Sequence, residues 1–583
     1  MAAWRVLGAL GRAARRAGPR LVVGLGAGAA GIGAALGPRL ADAEAVAAAL
    51  GPPSHPASGA APSPADAAAH APSGEAAAHA EAGTGALATG AWPVYTKQQV
   101  AEHDSREKRI WVTYKDGVYD ITEFVDGHPG GSRILLGAGK AIDAYWNLYP
   151  QHVNSSAPLE ILETMRIGVL DARDAAEASA AADVSDPYAN DPPASPLLRL
   201  HSAKPLQAET PTQLVTDTWI TPNELFFVRG HHPIPDIDAH TYRLTVKGHG
   251  LPREFTFSLA DLRDRFPRAE VVSTIQCGGN GRSAFNAHKR TMGIPWGCGA
   301  MSTARWSGAR LTDVLAACGL TDADAEAAGV EHVQFEGSES MGASIPAGKA
   351  FARRGDVLLA YEMNGEPIPR AHGYPVRAIV PGHVGVRNVK WLSAIVTSEE
   401  EAQGPWQRGI AYKGFAPGLE TVDGVDVQSV PSVQEQPVMS AITSPSAGDV
   451  LDAADGTVGV RGYAWSGGGR GIVRVDVSAD GGETWHTAKL KEGSEQKLSR
   501  AWAWTFFEAD VPLPAQPAAP RSAATGAASG GGADGPRSRS VEIVAKATDA
   551  SYNTQPERIE PIWNLRGINF NAWPRVDITV DGG

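Results

Sequence analysis

The sequence predicts a multidomain α+β protein: a small mixed domain, a larger mixed α/β domain and a C-terminal β-sandwich. Three observations carry that reading. At 583 residues the chain has material for about three to four domains with separate cores. Composition shifts along it, with stretches at 42–91, 172–195 and 513–540 that are rich in small, polar or proline residues and lack hydrophobic periodicity, so the folded pieces lie between them. The apolar pattern also changes from piece to piece. Between 196 and 437, β-like runs such as 242–246 alternate with helical stretches such as 310–318, where Cys318 falls on the apolar face and reads as core. From 438 to 583 there are only short strand-like runs, at 458–463, 472–478, 502–506 and 541–547, with the Asp480-Gly481-Gly482 turn among them. Regular short strands of this kind predict an immunoglobulin-like sandwich, with 513–540 as a disordered insertion.

Charge and cysteine count narrow the function. A net charge of −12 argues against nucleic acid as a partner and suits a basic protein. Cys277, Cys298 and Cys318 are an odd, sparse set with no metal-finger spacing, so no disulfide framework is expected.

In chain order, residues 1–41 carry six arginines and no acid, a transit-peptide composition; a disordered basic tail is the alternative. Residues 21–37 are uncharged, but 17 residues rich in Gly and Ala are marginal against the roughly 20 needed to span a bilayer. The run reads as a cleaved sorting segment, similar to the two-part presequences of mitochondrial intermembrane-space proteins, with no stable membrane span in the mature form. Serine is absent from the first 50 residues, which disfavours a chloroplast address. Residues 42–91 read as disordered.

Folded sequence starts near Trp92 and runs to 171. A hairpin is expected over 110–121 with its turn at Lys115-Asp116-Gly117. His128-Pro129-Gly130-Gly131 follows, with His152 24 residues after His128. A lone His-Pro-Gly reads simply as a turn. With His152 and the preceding Asp-Ile-Thr-Glu-Phe the segment resembles a cytochrome b5 domain, which implies a b-type haem whose iron is held by His128 and His152 and an electron-transfer role. The domain has 11 acidic and 8 basic residues, and 172–195 reads as a flexible linker after it.

The chemistry centres on Gln276-Cys277-Gly278-Gly279-Asn280-Gly281-Arg282, which follows a Val-Val-Ser-Thr-Ile run that reads as a buried strand. Taken alone, Cys277 reads as a buried structural thiol; a reactive thiolate favoured by the nearby Arg282 is the other reading. The surroundings resemble the molybdenum domain shared by sulfite oxidases and plant nitrate reductases, through 227–231, 301–311, 360–365, 372–377, 389–391 and 563–567, all in one order. The resemblance implies that Cys277 binds the molybdenum of a molybdopterin. It implies substrate contacts from Arg229, Arg282 and Arg566 with Trp296 and Tyr361, and pterin contacts from Phe227, Val228, Arg229, Gly230, His231, Cys277, Glu339, His372, Arg377, Asn388, Val389 and Lys390. It further implies oxidation of sulfite to sulfate, electron transfer through the haem to cytochrome c, and a homodimer joined through the C-terminal domain. Three positions depart from the family pattern: Gly230 where Asn is usual, Gly281 where Arg is common, and Glu339 near an expected Asp. A nitrate reductase-like enzyme and an inactive haem and molybdenum binding protein are the alternatives. Nitrate reductases place the haem domain after the molybdenum domain and add a flavin domain, whereas here haem comes first and the sequence stops at Gly583.

Overall fold

The computed structural model describes residues 92–125, 128, 131–148, 152, 157–180, 187–339, 341–452, 456–514 and 538–581. The expected presequence 1–41, the stretch 42–91 and residues 515–537 of the expected insertion lie outside them. Strand Thr505–Pro512 runs up to that insertion and strand Arg539–Asp549 resumes after it.

In the first folded piece, strands Trp111–Tyr114 and Gly117–Asp120 pair antiparallel from Trp111↔Asp120 to Tyr114↔Gly117, with Lys115 in the turn at φ 53°. They join Arg166–Leu170, Val94–Tyr95 and Lys140–Ala141 in a five-stranded sheet. Its core is Ile110, Val112, Tyr114, Tyr119, Ile121, Val125, Trp146 and Leu162. Residues 172–180, expected as linker, instead form helix Ala172–Ala180, docked by Asp174, which accepts the Lys97 N–H at 2.7 Å. Alanine and glutamate are strong helix formers, and Ala175 packs against the cluster of Val100, Val118 and Leu170, so this contact and the Asp174 bond substitute for a broad apolar stripe.

The second piece holds the sheet that matters most for function. Ala269–Gln276 pairs along its whole length with Met301–Arg310, which pairs in turn with Leu358–Met363. A second sheet, ordered Phe255–Phe257, Leu244–Gly248, Leu392–Ser398, His332–Gly337 and Gly342–Pro346, stands beside it, and a three-stranded sheet carries Arg199–Ala203, Leu206–Glu209 and Val228–Arg229. Helix Leu311–Ala317 and its C-cap Cys318 bury Leu311, Val314, Leu315 and Cys318 in one apolar cluster. No helix of the described residues is long and apolar enough to cross a membrane.

The third piece is two facing sheets. One holds Met439–Ser444, Thr457–Trp465, Thr505–Pro512 and Lys489–Leu490; the other holds Val450–Asp452, Arg575–Asp581, Arg539–Asp549, Ile472–Ser478 and His486–Thr487. Alternation sets the core, as in Arg575–Asp581, where Val576, Ile578 and Val580 face inward. The run 502–506, expected as one strand, is strand only from Thr505. Its first residues are diverted to the neighbouring domain: the Trp502 carbonyl accepts the Thr274 N–H at 3.0 Å, and the Trp504 N–H donates to Thr274 Oγ1 at 2.9 Å.

Asp356 fastens the same junction. It is 3% exposed and accepts from Arg310 Nη1 at 2.7 Å, Arg500 Nε at 2.6 Å and the Trp502 indole at 2.9 Å. Burial alone would raise its pKa; the Arg500, Trp502 and Arg310 donors outweigh that and hold it below the usual carboxylate value. A depressed folded pKa stabilises above the unfolded value of about 3.9 and that contribution is lost as pH falls through the folded one. Asp356→Asn is therefore expected to cost about 2 kcal/mol near neutral pH, below the range for a fully buried pair because both arginines are partly exposed. In thermal melts the gap between wild type and variant is level from pH 7 to about 5 and narrows below about pH 4; a gap that widens in acid contradicts the assignment.

Candidate active site and haem site

Strand Ala269–Gln276 stops one residue before Cys277, and the chain turns through 278–281 into helix Arg282–His288. The turn is fixed from both sides. Cys277 N–H donates to the Ala300 carbonyl at 3.0 Å, Asn280 Oδ1 accepts the Ala300 N–H at 3.1 Å, and the Gly281 N–H reaches the Gly297 carbonyl at 2.7 Å. Gly281 has φ 80°, and a Cβ there would lie 2.5 Å from the Phe570 ring. The glycine at this position thus follows from a left-handed backbone packed under an aromatic ring.

Arg282 is 7% exposed, and its fork is fully engaged: Nε to the Gly567 carbonyl at 3.0 Å, Nη1 to Ile294 at 2.8 Å and Nη2 to Arg566 at 3.1 Å. These acceptors are neutral, so the positive charge is not cancelled. Burial lowers Arg282 to about 10, with Cys277 opposing and Arg229 and Arg566 adding to the shift. Arg229, Arg282 and Arg566 therefore share one electrostatic neighbourhood with Cys277. Arg229 Nη1 donates to the Gly230 carbonyl at 2.6 Å; Arg566 has a buried Nε without a partner and an Nη1 3.7 Å from the Met292 sulfur. Three clustered guanidinium groups with no carboxylate partner among the described residues make a receptor for a small anion.

Tyr361 is not brought to this site. It lies in strand Leu358–Met363, buried in the cluster that contains Leu359, with Arg263 5.3 Å from its ring centre. Strand alternation turns it toward that core. Tyr412, which motif matching missed, stands there instead: a Cβ on Gly278 would lie 3.5 Å from its ring. Burial and Cys277 raise its pKa while Arg229, Arg282 and Arg387 oppose, so its hydroxyl stays a donor at neutral pH. Only tertiary packing reveals it, because it sits in an aperiodic segment at φ 58°. Trp296 is wholly buried with Cys277 in one apolar cluster, its indole N–H unpartnered and its ring edge-on to His201 at 4.8 Å. The adjacent Gly297 N–H is taken by the buried Glu209 carboxylate at 2.9 Å, which also meets His201 Nε2 at 2.9 Å.

Beside Cys277 a cleft is lined by Phe227, Arg229, His231, His372, Arg377, Asn388, Val389 and Lys390, all residues that the sequence resemblance assigned to the pterin, and by Tyr412. Val228 points away, into the cluster with Leu206 and Trp391. Gly230 is held by its N–H to the Leu206 carbonyl at 2.8 Å, and a Cβ would come within 2.9 Å of that oxygen. Glu339 is buried and is close enough to Lys390 to oppose the fall in that residue's pKa. The cleft is strongly cationic. Burial lowers Lys390 to about 7 and Arg377 to about 9; Arg377 donates to the carbonyls of His372 and Asn388 and lies 5.0 Å from the Trp306 ring centre, and its buried Nε has no hydrogen-bond partner. A buried guanidinium with an orphan donor and a buried amine beside it fit the phosphate of a pterin cofactor.

In the first domain His128 and His152 face each other with ring centres 6.2 Å apart. Two metal–imidazole bonds of about 2 Å plus the two half-rings fill that gap, so one ion fits between them. Trp146 stacks on His152 at 4.8 Å and Phe124 meets His128 edge-on. Burial lowers the His152 pKa, favouring the neutral, ligating imidazole. Among the described residues no three of His, Cys, Asp or Glu gather to hold a metal.

Comparison with known proteins recognises both domains. Residues 231–406 match the oxidoreductase molybdopterin binding domain, 430–524 and 534–581 the Mo-co oxidoreductase dimerisation domain, and 96–171 the cytochrome b5-like haem/steroid binding domain. The chain is 46% identical over 494 residues to the mitochondrial sulfite oxidase of Homo sapiens, covering 84% of each. It is also 46% identical to the sulfite oxidase of Gallus gallus, covering 83% of this chain and 100% of the relative. The sulfane dehydrogenase SoxCD of Paracoccus pantotrophus shares the fold, with a TM-score of 0.50 at 24% identity over 68% of this chain and 89% of that one. With a haem domain, a molybdopterin domain and a dimerisation domain in that order, the chain belongs to the sulfite oxidase family.

Proposed function

We propose that this protein oxidises sulfite to sulfate and passes the electrons through its haem to cytochrome c. The observation that carries the reading is the set of three arginines around Cys277 that have no carboxylate partner among the described residues. Cys277 would bind the molybdenum through its sulfur, a soft ligand suited to that metal. His128 and His152 would hold the haem iron as the two imidazoles the chain supplies. When bound, the molybdopterin supplies a two-electron oxidation and the haem supplies single-electron transfer. The chain's own residues bind and orient: Arg229 and Arg566 present free donors to the sulfite oxygens, Arg282 contributes fixed positive charge, Tyr412 adds a hydroxyl, and Trp296 closes the site against water. Arg377, Lys390, His372 and His231 grip the pterin phosphate and ring, with Phe227, Asn388 and Val389 shaping the cleft and Glu339 setting the charge of Lys390. The haem-first order favours this reading over a nitrate reductase-like one, and the intact arginine set favours it over an inactive binding protein.

We assign 92–171 to the haem domain, 196–437 to the molybdopterin domain and 438–583 to the dimerisation domain, and read the protein as a homodimer. Residues 1–41 are assigned as a mitochondrial presequence whose uncharged 21–37 run delivers the enzyme to the intermembrane space, beside cytochrome c.

Sulfite-dependent reduction of cytochrome c tests the activity and separates the roles. Arg566→Met is expected to raise KM for sulfite by about 10- to 100-fold, with a smaller change in kcat, since a hydrogen bond to a charged group is worth about 1.5–3 kcal/mol. An unchanged KM would remove Arg566 from the anion site.

Tyr412→Phe is expected to raise KM about tenfold, the scale of one lost hydrogen bond to an anion, while Tyr361→Phe leaves KM where it was. The opposite ranking would restore Tyr361 to the site and displace Tyr412.

A further inference from the structure

We propose that Met292 is a reversible oxidation site through which a peroxide weakens sulfite binding. The inference rests on the anion-binding role of Arg566 given above. Met292 is 46% exposed, whereas Met301, Met341, Met363 and Met439 are buried and Met165 is partly buried against the haem-domain core. Among the described residues it is the methionine that an oxidant in solution reaches first. Its position is tied to the site by two contacts: its N–H donates to the Leu565 carbonyl at 3.0 Å, and its sulfur lies 3.7 Å from Arg566 Nη1. Arg566 in turn keeps a buried Nε free of partners and feels Arg229 and Tyr412.

A thioether is a weak acceptor and leaves the guanidinium free to grip an anion. In the oxidation, a sulfur lone pair attacks one oxygen of hydrogen peroxide, the O–O bond breaks, and the second oxygen leaves as water. The sulfur is oxidised by two electrons and the peroxide is reduced by two. The sulfoxide oxygen is a strong acceptor held beside Nη1, so it competes with sulfite for the same donor. The effect falls on anion binding rather than on the redox step, and a thiol-driven methionine sulfoxide reductase reverses it by returning the oxygen as water.

The test uses the cofactor-loaded full-length enzyme, treated with dilute hydrogen peroxide and assayed for sulfite turnover, with peptide mass spectrometry to locate the added oxygen. Wild type is expected to gain one oxygen on Met292 and to show KM for sulfite raised on the order of tenfold. Methionine sulfoxide reductase should restore KM, and Met292→Leu should show no peroxide-dependent change from its own untreated value. Oxidised Met292 with an unchanged KM overturns the proposal, and so does an equal rise in Met292→Leu or a loss that the reductase does not reverse. The arginine reading is judged separately by untreated Arg566→Met: a raised KM there together with a peroxide-insensitive wild type rejects the methionine switch alone.

Discussion

The arrangement around Cys277 depends on how one buried guanidinium is held. Arg282 spends every nitrogen on backbone carbonyls, one from Ile294 in its own domain and two from Arg566 and Gly567 in the C-terminal domain. A carboxylate would have neutralised it. Carbonyls satisfy its hydrogen bonds and leave the charge in place for Cys277 and for an incoming anion. The clasp also explains three glycines, because a Cβ at Gly279, Gly293 or Gly567 would come within 2.6, 2.8 or 2.9 Å of the Arg282 side chain, Gly567 also clashing with Thr291.

The C-terminal sandwich is therefore part of the site rather than an appendage. Its loop brings Arg566, and the Asn569 N–H holds the Gly278 carbonyl at 2.7 Å, directly after Cys277. On the other flank Trp502 and Trp504 lock the sandwich to Thr274 in the strand that leads to Cys277, and Asp356 ties Trp502 and Arg500 to Arg310. A chain that failed to dock these two domains would lose the anion site even with every residue of the Cys277 turn intact.

Much of the fold was legible because local patterns carried it. The 110–121 hairpin, the strand leading to Cys277, the apolar helix face ending in Cys318 and the alternating sandwich strands all follow from periodicity and turn residues. Misreadings came where tertiary contacts override a local signal. The Trp502–Trp504 stretch looks like strand yet is drawn into a neighbouring domain, and 172–180 looks like linker yet is pinned as helix by Asp174. At the site, the motifs named Arg229, His372, Arg377 and Lys390, which line the cleft, and Arg282 and Arg566, which share the electrostatic surroundings of Cys277 and Arg229, but they pointed to Tyr361 where the structure brings Tyr412. Tyr412 could not be found from spacing. Its segment is positioned by Arg387, a wholly buried arginine that binds the carbonyls of Val433 and Trp406 on either side of it.

The central claim is that sulfite meets Cys277-bound molybdenum and that its electrons leave through the haem between His128 and His152. The most direct measurement is anaerobic rapid mixing of sulfite with the cofactor-loaded enzyme, without any external acceptor, while the haem spectrum is followed. The account predicts that wild-type haem becomes reduced within the time of a turnover and that Cys277→Ser, loaded with the same haem, stays oxidised. Haem that remains oxidised in the wild type, or that is reduced equally fast in Cys277→Ser, would contradict it.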